Sequence, residues 1–394
     1  MERSSKVKTE IPEAEFGERI LRLTKAMESE KLDAIITFGN EAEPQYVRYF
    51  SDYWPSFETA GVFIPREGEP CLLIGPESMT FSRSRSKLKR IKRMKEYRES
   101  SEPEYPGEVL TTFPSLLAEA LGSGAYRRIG IVGYPLMPAP LHRAILEAAQ
   151  ERRAEVIRAE QLVIDMKQIK SPNEIELMRN AAQISEKAFS GLLEKMRPGM
   201  TEIQVVGEAH MLIRDLGAES EAYPLWCSCG ENSTQAISRP THRRIEKGQL
   251  VQVQIGARLG GYTSSIGRPL VFGKAPPELA RFIRVGLEAH REVAAILREG
   301  IPAKDVDARY RDFLRRNGAE EQMLYGPCHG TGLMEGEHPW IEKTSDFTLK
   351  ENMTFCSDNF LRTDAYGLRW EDVVRITRDG VEEFTNKFQD VLIL

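Results

Sequence analysis

Gly326-Pro327-Cys328-His329-Gly330-Thr331-Gly332 sets one histidine among three glycines. Glycine lets backbones approach closely, and in a loop of this kind it leaves the imidazole accessible. A histidine so placed is a stronger candidate for chemistry than one on a helix, because its charge changes near neutral pH. Around it the pattern is strand-like. Residues 250–257, 262–272, 353–360 and 370–377 are apolar runs, separated by helical spacing over 277–298 and 306–317. Successive side chains on a strand point to opposite faces. Gln252, Gln254 and Gly256 therefore share a face, as do Thr263 and Ser265, Cys356 and Asp358, and Glu371 and Val373.

Working upstream, Ser171-Pro172-Asn173-Glu174 is a helix start with a capping box and proline at the first helical position. The helix runs to about Met196 and stops at Arg197-Pro198-Gly199. Thr201 and Gln204 open another. Strands interleaved with helices that cover one face make residues 166–394 an α+β domain. Residues 1–165 alternate differently, with a helix over 15–31, a strand over 34–38, a hairpin over 61–75, a strand over 128–133 and a helix over 141–153. That alternation predicts an α/β domain on a mixed or parallel sheet.

Composition narrows the function. The 394 residues carry 54 Lys+Arg against 59 Asp+Glu, a net charge of −5, which argues against a nucleic-acid partner. No run approaches the ~20 apolar residues that span a bilayer. Residues 1–5 have no apolar core of a secretory signal. Five cysteines are too few, and odd in number, for a disulfide framework. The expectation is a cytoplasmic protein with a small-molecule substrate and no membrane partner. The basic run over 87–98 reads as a solvated face. Tyr46, Tyr49, Phe50, Tyr53 and Trp54 read as core packing or as an aromatic wall for a cationic ligand.

With these motifs in order, the chain resembles the creatinase/aminopeptidase P/prolidase family, the pita-bread fold of the M24 peptidases. The resemblance rests on residues 170–178, Cys229-Gly230-Glu231-Asn232-Ser233, Arg239-Pro240, Gly256-Ala257, Gly261-Tyr262, Arg268, His329-Gly330-Thr331-Gly332-Leu333, Glu337, Pro339 and Gly367-Leu368-Arg369-Trp370-Glu371-Asp372. It implies an N-terminal creatinase-like domain, a C-terminal pita-bread domain and a homodimer. The family's metallopeptidases hold two divalent ions with two Asp, one His and two Glu. Carried over by position, the two Asp fall at Gln254 and Ser265, the His at His329, and the two Glu at Asp358 and Glu371. A further family His falls at Ile237, another at Gly336, and the acidic residue of creatinase at Gly267.

Two ions need anionic oxygen ligands to offset about four positive charges. Only Asp358 and Glu371 remain, so a metal pair is not expected. No cofactor is expected, although His329, Asp358 and Glu371 could hold a single divalent ion. The leading expectation is a creatinase-like, metal-independent hydrolase, or a lyase, acting on a C–N bond of a small amide, amidine or amino-acid-derived substrate. In it His329 shuttles protons while Asp358 and Glu371 orient water or substrate. Gln254, Ser265, Glu337, His338, Arg369 and Cys229 would bind substrate, with His338 standing in for the missing histidine at Gly336. One alternative is an Xaa-Pro dipeptidase-like metallopeptidase with an altered mononuclear site. Another is a catalytically silent binding protein. Cys227, Cys229, Cys328 and Cys356 read either as small apolar filler or as a thiolate nucleophile or soft zinc ligands.

Overall fold

In the computed structural model, which describes residues 8–121 and 127–394, the chain divides into two units, Ile11–Lys167 and Gln168–Leu394, the latter taking in residues 8–10. Residues 1–5, read above for a secretory signal, lie outside the described residues. The first unit contains α1 (Glu13–Ser29), β1 (Ala34–Thr37), α2 (Gln45–Ser51), β2 (Ala60–Pro65), β3 (Cys71–Ile74), α3 (Met79–Arg85), β4 (Ile91–Arg93), α4 (Phe113–Leu121), β5 (Arg128–Val132), α5 (Ala139–Glu151), β6 (Glu155–Arg158) and α6 (Glu160–Lys167). Its sheet has the order β4-β3-β2-β1-β5-β6. The β2–β3 hairpin pairs antiparallel and β1–β5–β6 pair parallel, so the sheet is mixed.

Two readings on this unit resolve at once. Tyr46, Tyr49, Phe50 and Tyr53 are buried core, and Arg19 lies over the Tyr49 ring at 4.2 Å. The basic run is a set of ion pairs, with Arg90 and Lys92 on Glu119 and Arg93 on Glu108. Pairs of this exposure contribute little to stability.

The second unit begins with α7 (Pro172–Lys195) and α8 (Glu202–Asp215). Both capping boxes form. The Glu174 backbone N–H donates to Ser171 Oγ at 3.2 Å, and the Ser171 N–H donates to Glu174 Oε2 at 2.6 Å. Thr201 and Gln204 repeat the arrangement. There follow β7 (Ser220–Glu221), β8 (Trp226–Cys229), β9 (Leu250–Ile255), β10 (Ala257–Leu259), β11 (Tyr262–Thr263), β12 (Ile266–Val271), α9 (Pro277–Ile296), α10 (Ala303–Arg316), β13 (Cys328–Gly330), β14 (Glu337–Ile341), β15 (Thr354–Arg362), β16 (Gly367–Ile376), β17 (Val381–Glu383) and β18 (Leu392–Ile393). The main sheet has the order β14-β13-β15-β16-β12-β9-β8.

One face of this sheet is covered by helices. Residues of α9 and α10 pack with Cys328, Phe355, Trp370 and Val374, and residues of α7 and α8 pack with Cys227, Cys229, Val251 and Val253. Burial of that apolar face drives the assembly of the unit. The opposite face holds Gln254, His329, Cys356, Asp358 and Glu371.

Three local expectations are corrected. The runs over 250–257 and 262–272 are not single strands, because the chain bends between β9 and β10 and between β11 and β12. The bend has a steric reason: a Cβ on Gly256 would lie 2.1 Å from the Ser264 carbonyl oxygen, so two backbones cross in contact there. Moreover, His329 sits on strand β13, not in an open loop, and its ring is buried.

Candidate functional site

A single row crosses five strands. Trp226, Gln254, Gly267, Glu371 and Asp358 are successive partners on β8, β9, β12, β16 and β15. Directly opposed residues lie on the same face. One step along, His329 opposes Cys356. Gly267 is what joins the row. A Cβ there would lie 3.1 Å from Glu371 Cβ, and its absence lets the Gln254 side chain reach across β12. The Gln254 amide nitrogen donates to Glu371 Oε2, and its Oε1 accepts from Arg369.

Arg369 anchors one half of the site. Its guanidinium donates to Tyr325 Oη at 2.6 Å and to the Ala236 carbonyl at 3.0 Å, and it pairs with Asp358 at 2.9 Å. Trp226 and Phe360 flank it at 5.1 and 5.5 Å. Tyr325 in turn donates to Asp358 Oδ2 at 2.7 Å. Burial alone would favour neutral arginine, but Asp358, Tyr325 and Glu371 together outweigh it and keep the guanidinium charged.

The other half is a tight group of donors. One ligand atom each from His329, Glu335, Cys356 and Glu371 lie within 4.8 Å of one another. His329 Nδ1 faces the Gly330 carbonyl at 3.1 Å, and Nε2 faces Glu335 at 3.4 Å and Asp358 at 3.9 Å. Burial pushes the imidazole toward neutrality, but the carboxylates of Glu335, Asp358 and Glu371 outweigh it and raise its pKa to about 10. Burial, then the charges of Glu335 and Asp358, push Glu371 well above the carboxylate range. Burial opposes the charge on Glu335, but the imidazolium of His329 holds its pKa down. Glu371 Oε1 is buried and receives no hydrogen bond among the described residues. A buried carboxylate this close to a second, half-buried one requires a proton or a cation between them.

Glu335 was not singled out in the sequence. It lies in the turn after β13, which is braced by Met334 N–H donating to Glu337 Oε1 at 3.0 Å and by the Lys170–Glu337 ion pair at 3.5 Å. The only sequence signal was two acids, Glu335 and Glu337, in one short turn after the histidine. Trp226 and Tyr325 were missed as well.

Several expected site residues fall elsewhere. Glu337 braces the turn and is held by Lys170, so it does not face substrate. His338 is exposed and does not replace a histidine at Gly336. The Ser265 hydroxyl shares a hydrogen bond with the Tyr223 hydroxyl at 2.6 Å. Asp358 is turned to Arg369 and Tyr325, outside the donor group. Cys229 is core, on the helix-covered face with Cys227, and its N–H donates to Glu202. Their odd register on β8 puts both cysteines opposite Val251 and Val253, away from Trp226. Cys328 likewise faces the helices. Only Cys356 of the four reaches the site. Burial, then the charges of Glu371 and Glu335, push its thiol well above the ordinary value, so the reading of a free thiolate nucleophile is not supported. Ile237, at the position of a family histidine, is 85% exposed.

The residues do not fit two metal ions. Gln254 and Ser265 are neutral, and Arg369 and Tyr223 already engage them. One ion is a different matter, since imidazole, thiol and two carboxylates are a usable donor set. Ligand atoms around a tetrahedral zinc stand roughly 3.3–3.8 Å apart by its bond lengths, so small side-chain rotations would close this group around an ion.

Comparison with known proteins follows the same lines. Residues 176–378 match metallopeptidase family M24, and residues 19–169 match the creatinase/prolidase N-terminal domain. An Xaa-Pro dipeptidase of Pyrococcus furiosus is 26% identical over 379 residues, covering 95% of this chain and 99% of that protein. Among solved structures, an X-Pro aminopeptidase from Thermotoga maritima superposes with a TM-score of 0.83 at 23% identity, covering 95% of this chain and 99% of its own. An Xaa-Pro dipeptidase from Bacillus anthracis does so with a TM-score of 0.81 at 24% identity, covering 96% and 100%. Both structures share the two-domain architecture. Among the described residues, no helix is long and apolar enough to cross a membrane.

Proposed function

The chain belongs to metallopeptidase family M24, and on that premise we propose that it hydrolyses the peptide C–N bond of Xaa-Pro dipeptides or similar small peptides, using one divalent ion in place of two. The observation that carries this reading is the convergence of His329, Glu335, Cys356 and Glu371 on one point of the polar face. The similarity to an Xaa-Pro dipeptidase along almost its whole length supports it. It replaces the leading expectation of a metal-independent, creatinase-like enzyme, which the relatives do not favour.

The four side chains would hold the ion, and with a fifth position taken up or one carboxylate displaced it would polarise a carbonyl and acidify water. The chain's own residues supply the rest. His329 is oriented by its contact with the Gly330 carbonyl, and Glu371 by the Gln254 amide. Arg369 holds a fixed positive charge beside the carboxylates, screened from water by Trp226 and Phe360. A charge fixed before reaction costs no reorganisation during it.

The test is hydrolysis of Ala-Pro and Met-Pro, with Ala-Ala as control, by protein stripped with chelator and then reloaded. Turnover that returns with metal and falls at least ~100-fold in His329→Ala supports the reading. Full turnover in chelator overturns it. A second reading, a metal-free hydrolase of small C–N substrates, would then stand. It is favoured by one observation: the guanidinium of Arg369 already engages Gln254 and Asp358, two of the five positions that hold metal in the family.

A further inference from the structure

We propose that the donor group is a zinc site completed by the thiolate of Cys356, a single-ion centre whose metal preference differs from that of an all-carboxylate pair. This deepens the functional reading above and rests on it only for the identity of the substrate.

Four observations point there. The first is the donor group itself. Its four atoms come from three strands and one turn: His329 on β13, Cys356 on β15, Glu371 on β16, and Glu335 between β13 and β14. The second is the orphaned Oε1 of Glu371, fully buried and without a donor among the described residues. Beside a second carboxylate, an acceptor of that kind is costly unless a proton or a cation meets it, and a cation meets all four donors at once.

The third is the support behind the ligands. Metal-binding imidazoles usually donate their other N–H to a carbonyl or carboxylate, which fixes the tautomer and aims the free nitrogen. His329 Nδ1 lies 3.1 Å from the Gly330 carbonyl, leaving Nε2 to face the group. Gln254 does the same for Glu371, donating to Oε2 and leaving Oε1 open.

The fourth is the register of the cysteines. Cys227, Cys229 and Cys328 face the helix-packed core, whereas Cys356 lies directly opposite His329 on the polar face. A filler role accounts for the first three and not for the fourth. Thiolate and imidazole suit zinc, while manganese and magnesium prefer oxygen. Binding forms a Zn–S bond and sends the thiol proton to solvent.

Cobalt(II) reports on such a site directly, because a cobalt–thiolate bond absorbs in the near ultraviolet. The full-length protein, stripped and then titrated with cobalt, should show that band and saturate at one ion per chain. Zinc should abolish the band by displacement. In Cys356→Ser the band should vanish, and zinc affinity should fall by more than the roughly 10–100-fold that loss of an orienting partner costs. Cys229→Ser, a core change, should keep the band. A cobalt spectrum without a thiolate band in the wild-type protein overturns the proposal, as does saturation at two ions or no binding at all. A thiolate band without Xaa-Pro hydrolysis would uphold the zinc site and overturn the peptidase reading. Hydrolysis supported by an ion that gives no thiolate band would do the reverse.

Discussion

Strands β15 and β16 carry polar clusters on both faces, one residue apart, and the two are built on opposite principles. On the helix-covered face, Asp372 accepts from Arg268 at 2.5 Å, from His290 Nε2 at 3.0 Å and from Gln389 at 3.1 Å. His290 Nδ1 in turn accepts from Asn359 at 2.8 Å. Burial opposes the charge on Asp372, but Arg268 and His290 outweigh it and lower its pKa. On the other face, Glu371 meets a second carboxylate, keeps an orphaned oxygen and is pushed toward its acid form. A satisfied buried charge holds a fold together. An unsatisfied one persists where something else is to be bound. His290, held between Asp372 and Asn359, belongs to the first kind.

The largest expected effect tests that contrast on the satisfied side. Asp372→Asn leaves Arg268 charged and buried, so unfolding in denaturant should show a loss of ~3–5 kcal/mol. Its neighbour should respond in the other direction. Glu371→Gln removes a carboxylate from a like-charged contact and keeps the contact with Gln254, so the metal-free protein should hold its stability or gain up to about 1–2 kcal/mol. Zinc binding should be lost in the same variant. Equal destabilisation by both changes would break the comparison.

The two faces should also separate by pH. The pKa of Asp372 lies below its ordinary 3.8 in the fold, so its contribution is present above that value and is lost as pH falls through the lowered one. The pKa of His329 is raised from 6.5 to about 10, so its contribution is complete below 6.5 and is lost as pH rises through about 10. In metal-free Glu335→Gln, the imidazole should titrate closer to 6.5 by NMR, because Glu335 is the strongest of the groups that raise it. An unchanged His329 titration would remove Glu335 from the site. The smallest effect belongs to the core cysteines. Cys227→Ala should cost about 1 kcal/mol, as a small cavity does, and leave metal binding unchanged.

Much of the fold was legible because its signals are local. The capping boxes at Ser171 and Thr201, the hairpin turn at residues 66–69 and the helix over α9 each depend on neighbours within a few positions. Alternation also put Asp358 with Cys356 and Glu371 with Val373 on common faces. It did not say which face was covered by helices, and that is why Cys229 was read as site and is core. The bend at Gly256 and the strand at His329 escaped for a related reason: both depend on which backbone lies alongside, which spacing does not carry.

By itself the sequence determined the two-domain architecture, the family and the loss of a carboxylate pair at Gln254 and Ser265, since each follows from residue identity at a position. Only the tertiary structure decided that Glu335 enters the site, that Asp358 is taken up by Arg369, and that one cysteine of four faces the histidine. Those outcomes depend on the register between strands distant in the chain and on a turn braced by Lys170, and a single residue of register exchanges one face of a sheet for the other.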